Sequence, residues 1–80
     1  MSKYKPLGNH LSVQTDRVVT LTFSEIGRII GSPLPATAFR APQWWENEHL
    51  GSHVQCRSWM DAGWRTRGVN LNSQTVEFYR

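Results

Sequence analysis

Hydrophobic residues recur at two different spacings along this chain, and clusters of Gly, Pro, Asn and Ser separate the segments that show them. Leu7 and Leu11 lie one helical turn apart behind Pro6, which predicts a short helix over residues 6–13. The β-branched run at residues 17–21 predicts a strand, with alternate side chains on opposite faces. The chain is therefore expected to begin with a helix followed by a strand.

Two segments carry the sequence signature of a helix start, a hydroxyl residue followed three positions later by Glu or Gln. Thr22 with Glu25 predicts a helix that continues to Ile30 and ends at a glycine. The Ser-Pro-Leu-Pro turn that follows prevents the helix from continuing, and residues 35–39 can form one further helical turn.

The second signature, Ser52 with Gln55, predicts a helix over residues 53–62. Gly63 follows it, at the position where positive φ closes a last turn. Cys56 and Trp59 fall on the face expected to be buried, and Gln55 lies at its border. If Gln55 is covered, its amide must be paired.

Alternation in the remaining segments predicts strands. Residues 64–70 and 75–79 flank the polar turn 71–74 and so form a C-terminal hairpin, with Glu77 and Tyr79 facing outward. Arg65 and Arg67 share a face with Val69, which requires a twist, a bulge or an exposed basic edge. The expected fold is α+β, a three- or four-stranded antiparallel sheet packed by two or three short helices. The predicted strands are residues 18–21, 43–45, 64–70 and 75–79.

Composition narrows the class of protein. Eighty residues with four Trp, three Phe and two Tyr predict one domain with an aromatic core. The net charge is +3, and seven of the nine basic residues are Arg, which suits phosphate contacts. The single Cys allows no internal disulfide, and no leader or membrane-spanning run is apparent, so we expect a cytoplasmic protein with no membrane partner.

The chain resembles, over nearly its whole length, a small domain of unknown function found in bacterial, phage and plasmid proteins. The resemblance implies DNA-directed work, since such domains sometimes stand beside restriction-type nuclease modules, and it assigns no catalytic residue. One departure is the pair Gly8 and His10, which replaces bulkier or more helix-favouring residues in the first helix. The matching residues are Thr22, Phe23, Glu25, Ile26, Leu34, Pro35, Trp44, Trp45, Asn47, His53, Gln55, Trp59, Ala62, Gly63 and Trp64.

The residue types favour a non-catalytic nucleic-acid-binding face, with DNA preferred. Arginines would contact phosphates, one of two adjacent tryptophans would stack on a base, and amide and imidazole groups would bond base edges. Alternatively, the tryptophans form the core and the arginines a solvated surface. The candidate residues are Arg40, Trp44, Trp45, Asn47, His53, Gln55, Arg57, Arg65 and Arg67.

Three other functions remain open. His49, His53 and Cys56 could hold zinc, but a buried free thiol is the simpler interpretation, so no metal or cofactor is predicted. A His53-based nuclease is disfavoured, because no paired carboxylates accompany it. A protein-binding module or homodimer could use a Trp-rich surface or an exposed C-terminal strand.

Overall fold

A three-stranded antiparallel sheet packs one face against short helices in the computed structural model, which describes residues 3–48 and 54–80. The strand order is β1-β3-β2, so the last strand of the chain is central. This is the predicted α+β class, with three strands. The elements are α1 Lys5–Ser12, β1 Val18–Thr22, α2 Phe23–Ile30, α3 Ala36–Arg40, a 3-10 helix Pro42–Trp45, α4 Gln55–Met60, β2 Arg65–Asn70 and β3 Thr75–Tyr79.

Side-chain alternation divides the sheet into two faces. Leu21, Thr66, Val76 and Phe78 are buried against the helices. The register places Leu21 opposite Val76, and Thr66 opposite Phe78, so these residues share one face. The intervening residues of each strand, which include the predicted outward pair of the hairpin, lie on the opposite face.

The capping box at the start of α2 is confirmed. Thr22 Oγ1 accepts a hydrogen bond from Glu25 N at 3.0 Å, and Glu25 Oε1 accepts one from Thr22 N at 2.8 Å. Gly31 ends the helix with φ of 75°. The hydrogen bond from the Thr22 backbone lowers the pKa of Glu25 below its usual value.

The predicted strand at residues 43–45 is wrong, because the segment forms a 3-10 helix that begins at Pro42. In a strand, Trp44 and Trp45 would point to opposite faces. In the 3-10 helix both rings turn toward the interior and contact each other edge to face, with centroids 4.7 Å apart. Among the described residues the sheet therefore has three strands, and both tryptophans belong to the core.

Helix α4 is shorter than predicted, since it covers Gln55–Met60. The cap residue proposed for it, Ser52, lies outside the described residues. Its end follows the prediction: Gly63 takes φ of 88°, and Trp64 N donates to Trp59 O at 2.8 Å while Gly63 N donates to Met60 O at 3.0 Å. This pair of bonds is the Schellman arrangement, which turns the chain directly into β2.

The glycine in the first helix has a packing role. A Cβ on Gly8 would lie 2.2 Å from the carbonyl oxygen of Ser58 in α4. The missing side chain therefore lets α1 and α4 approach closely, which offsets the weak helix propensity of glycine. The departure from the family pattern at Gly8 does not prevent α1 from forming.

Of the twist, bulge or exposed basic edge that the hairpin pattern requires, the structure shows a bulge, and the C-terminal strand considered as an exposed edge is central instead. The register between β2 and β3 shifts between Arg67 and Asn70, and Gly68 has φ of 61°. The C-terminal strand pairs with β1 on one side and β2 on the other. The C-terminal strand is therefore not an exposed edge, because β1 pairs with the side that β2 leaves open.

Candidate functional site: the open sheet face

The sheet face turned away from the helices, here called the open sheet face, consists of two rows of side chains. In one row Arg65, Tyr79 and Val18 lie opposite one another across the three strands. In the next row Arg67, Glu77 and Thr20 do the same. Both arginines, Val18 and Thr20 are exposed, and Glu77 and Tyr79 are half-buried on the central strand.

Tyr79 forms the aromatic centre of this face. The guanidinium carbon of Arg67 lies 4.5 Å from the Tyr79 ring centroid, within cation–π range. The same Arg67 makes an ion pair with Glu77, directly opposite it in the register. Because the pair is largely exposed, it holds Arg67 over the ring more than it stabilises the fold.

Arg17 and Arg80 are at the end of the sheet, one position beyond Val18 and Tyr79. Arg80 N donates to Arg17 O at 3.0 Å, which extends the pairing of β3 with β1 by one residue. The Arg80 guanidinium lies 4.9 Å from the Trp64 ring centroid and donates to Gln14 O at 2.9 Å. Arg17 and Arg80 alternate with Val18 and Tyr79, so their side chains belong to the helix-facing side of the sheet and not to the open sheet face.

Arg57 joins this region through a groove between α4 and the start of β2. The groove has a volume of about 160 Å³. Arg57 and Arg65 line it together with the carboxylates of Glu48 and Asp61. Its charge is therefore mixed, and Arg57 is the residue of α4 that reaches toward the sheet arginines.

The expectation of an exposed indole at Trp44 or Trp45 is wrong. Their exposed fractions are 9% and 2%, and Trp59 and Trp64 are fully buried. Trp45 stacks on Phe23 with ring centroids 4.8 Å apart, and its Nε1 donates to Ala38 O at 3.0 Å. The aromatic residues are needed to fill the interior of a small domain, so neither ring is free to stack on a base.

The two predicted amides are used within the protein. Asn47 Nδ2 donates to Thr66 O, and Asn47 Oδ1 accepts from Thr66 N, each at 2.9 Å. Gln55 is buried, and its Nε2 donates to Trp44 O at 3.0 Å. Both side chains therefore hold the 3-10 helix and its neighbours in place, which explains why polar residues occur among the tryptophans.

The structure brings only part of the predicted set together. Arg65 and Arg67 share the open sheet face, and Arg57 lines a groove with Arg65. Trp45, Asn47 and Arg67 line a second groove of about 400 Å³, although Trp45 is buried. Arg40 is exposed at the end of α3, in the helical layer, and His53 lies outside the described residues.

Sequence reasoning did not assign Tyr79 to the site. The alternation of the last strand placed Tyr79 outward, which was the available signal. What was missing was the strand order, since a tyrosine on a central strand has neighbours on both sides, whereas one on an edge does not.

The metal hypothesis has no further support among the residues that the structure describes. They contain no group of three His, Cys, Asp or Glu side chains placed to hold an ion. His49 and His53 fall outside them. Cys56 is buried and forms no disulfide, and its Sγ donates to Glu48 O at 3.5 Å.

In the part of the chain that the structure describes, none of the helices has the length and apolar character needed to span a bilayer. Comparison with curated proteins and with solved structures finds no significant match for this chain. A family model described as "Domain of unknown function (DUF7662)" matches residues 4–80. That match covers nearly the whole sequence, so the chain belongs to this family of domains of unknown function.

Proposed function

We propose that the protein is a non-catalytic nucleic-acid-binding module that binds single-stranded DNA across the open sheet face. The observation that carries the proposal is the position of Tyr79 on the central strand, beside Arg65 and beneath the Arg67 guanidinium. A flat ring offers a base a stacking surface, and adjacent guanidinium groups offer phosphates bidentate contacts.

A single strand suits this face better than a duplex. Bases in a duplex are stacked on one another and present only their edges, whereas an unpaired base can stack on an aromatic ring of an open sheet. Reading a major groove calls for an exposed helix or ribbon. The α-helices in the described part of the chain have between five and eight residues, so they offer little surface for that purpose.

The positions of the arginines also support binding at the open sheet face. Arg65 and Arg67 lie on the face itself, and Arg57 lines a groove with Arg65. Arg17 and Arg80 are on the helix-facing side of the sheet, and Arg28 and Arg40 are on helices of that layer. Arg67 is already paired with Glu77, so binding a phosphate there requires that pair to open or be shared.

The proposal changes the role of several predicted contact residues. Trp44, Trp45, Asn47 and Gln55 support the 3-10 helix that flanks β2, and His53 remains a prediction. The bacterial and mobile-element setting that the resemblance implies, and a cytoplasmic location, belong to this proposal as well. A DNA-directed role beside a nuclease would need only affinity from this chain, because no catalytic group is assigned to it.

Fluorescence anisotropy with a labelled oligothymidine of about 15 nucleotides tests the proposal, since single-strand sites span roughly 4–16 nucleotides. Tyr79→Ala should weaken binding about fivefold to a hundredfold, the range of one lost stacking contact. Replacing Arg65 and Arg67 together by Ala should weaken it and flatten its salt dependence. Duplex DNA and single-stranded RNA of the same sequence serve as competitors.

The matched control replaces Arg28 and Arg40 by Ala, which removes the same charge from the helical layer. Its affinity should stay near that of the unaltered protein. If the control weakens binding as much as the sheet variant does, the interaction is with net charge and the site is not the open sheet face. Failure to retain the oligonucleotide at low salt, with the fold intact, contradicts the proposal altogether.

A further inference from the structure

The two edge strands of the sheet are protected very differently. At the β2 edge, the backbone N–H and C=O of Thr66 are both bonded to the Asn47 side chain, and a bulge at Gly68 interrupts the strand. These are features that prevent an edge from pairing with another chain. The β1 edge, with sequence VVTLT, has no charged residue, proline or bulge.

The hydrogen-bond register shows which backbone groups of β1 point away from the sheet. Arg80 N donates to Arg17 O, and Phe23 N donates to Gln74 O, so both pairs are of the hydrogen-bonded type. Such pairs alternate along an antiparallel ladder. The odd-numbered residues of β1 therefore bond to β3, and the N–H and C=O of Val18 and Thr20 point off the free edge.

The backbone hydrogen bond of Thr22 agrees with this register. It also shows that the available edge ends before Thr22. Its backbone N–H also points away from β3, and it donates to the Glu25 carboxylate in the capping box. Val18 and Thr20, in contrast, are exposed, Val18 to 44% of its surface. The free edge thus offers two residues with their donors and acceptors directed outward.

We propose that β1 is a dimerisation edge, which pairs in antiparallel fashion with β1 of a second copy of this chain. In the register that uses every outward group, Val18 of each copy faces Thr20 of the other, and Val19 meets Val19 at the two-fold axis. Each of the two Val18–Thr20 pairs exchanges two backbone hydrogen bonds. The result is a continuous six-stranded sheet of order β2-β3-β1-β1-β3-β2.

Self-complementarity favours a second copy over an unrelated extended peptide. A two-fold axis at Val19 pairs β-branched residues with one another on both faces, an arrangement that stabilises sheets. In the same register Arg17 faces Leu21 of the other copy, beside a groove lined by both Glu25 and Arg28. The charges there are mixed, so the pairing of the β-branched residues carries the preference for a second copy.

The interface is small, so the dimer is expected to be weak, with a dissociation constant of about 10–100 µM. The inference does not depend on nucleic-acid binding. If the protein both dimerises and binds nucleic acid, the two open sheet faces join into one surface, with Val18 at its centre.

Sedimentation velocity over a range of protein concentrations tests the dimer, with a proline variant as the specific probe. Thr20→Pro removes a donor that points off the edge and leaves the bonds to β3 in place, because proline is tolerated at edge positions of this kind. It should weaken dimerisation about tenfold or more through two lost hydrogen bonds. Thr20→Ala, which loses the side chain and keeps the N–H, should weaken it less.

Disulfide crosslinking tests the register of the dimer separately. In a Cys56→Ser background, Val19→Cys should form a disulfide-linked dimer under mild oxidation, because opposed residues at the axis lie within bonding distance. Val18→Cys is the control, as its thiols face Thr20 instead of each other. Equal crosslinking of the two variants overturns the register. In sedimentation, a protein that stays monomeric up to several hundred micromolar, about ten times the expected dissociation constant, overturns the proposal.

Discussion

The Asn47 side chain closes the β2 edge at Thr66 by occupying both backbone groups that a neighbouring strand would use. A strand would exchange two hydrogen bonds with Thr66, and the Asn47 amide makes both. Its Oδ1 also accepts from the buried Trp59 indole at 2.9 Å. One side chain therefore connects the 3-10 helix segment, α4 and β2.

Replacing Asn47 should lower the stability of the whole domain. Asn47→Ala leaves the Trp59 Nε1 and the Thr66 backbone groups without partners, so we expect a loss of about 2–4 kcal/mol in the free energy of unfolding. Asn47→Asp keeps the acceptor and loses the donor to Thr66 O. Urea denaturation followed by circular dichroism measures both, with Gln43→Ala as an exposed control on the 3-10 helix. A change below about 0.5 kcal/mol, the size of an ordinary surface substitution, would contradict this role.

All four tryptophans should be protected from solvent quenchers. Because each ring is buried, iodide should quench the intrinsic fluorescence only weakly in the folded protein and strongly in urea. The measurement is a Stern–Volmer titration with free indole as the reference. An accessible fraction near one quarter would mean that one tryptophan is exposed, and it would restore the original prediction of a stacking indole.

Two glycine substitutions should have opposite effects. Gly8→Ala places a Cβ against the Ser58 carbonyl and should destabilise the domain by about 1–3 kcal/mol through overpacking. In Gly27→Ala the added Cβ would lie 3.4 Å from Ser32 O, an ordinary contact in a helix interior. That variant should be more stable by about 0.5–1 kcal/mol. Thermal unfolding compares them, and a neutral Gly8→Ala would show that α1 and α4 are not in close contact.

The capping box should make stability depend on acid pH. The folded-state pKa of Glu25 is lowered from its usual value of 4.5, mainly by the bond from Thr22 N, so the unfolded chain takes up this proton first. The contribution is fully present above pH 4.5 and is lost as pH falls through the lowered value. Melting temperatures from pH 6 to pH 3 should therefore decline more steeply for the unaltered protein than for Glu25→Gln. Parallel declines would argue against the capping box as the cause.

The correct sequence predictions rest on interactions between residues close in the chain. The Thr22–Glu25 box, the glycine that ends α4 and the alternation of the hairpin all concern neighbours within a few positions. A hydroxyl can reach an N–H three residues away whatever the rest of the fold does. These elements appear in the structure with small shifts of their ends.

The wrong sequence predictions concern contacts between residues that are far apart in the chain. Two adjacent tryptophans fit a strand or a tight helix equally well, and the need to bury both rings decided for the helix. Asn47 and Gln55 look like ligand-binding amides in sequence, yet their partners, Thr66 and Trp44, are 19 and 11 residues away. The same applies to strand order, which made Tyr79 central.

By itself, the sequence determined the α+β class, the start of α2, the C-terminal hairpin, and the outward direction of Glu77 and Tyr79, because local hydrogen bonding and side-chain alternation depend on near neighbours. Only the tertiary structure decided which polar groups were used internally and which arginines gathered around Tyr79. It also decided that β1 and β2 became the edges of the sheet. Those outcomes depend on which surfaces pack together, and a small domain must bury most of its large rings before any of them can serve a ligand.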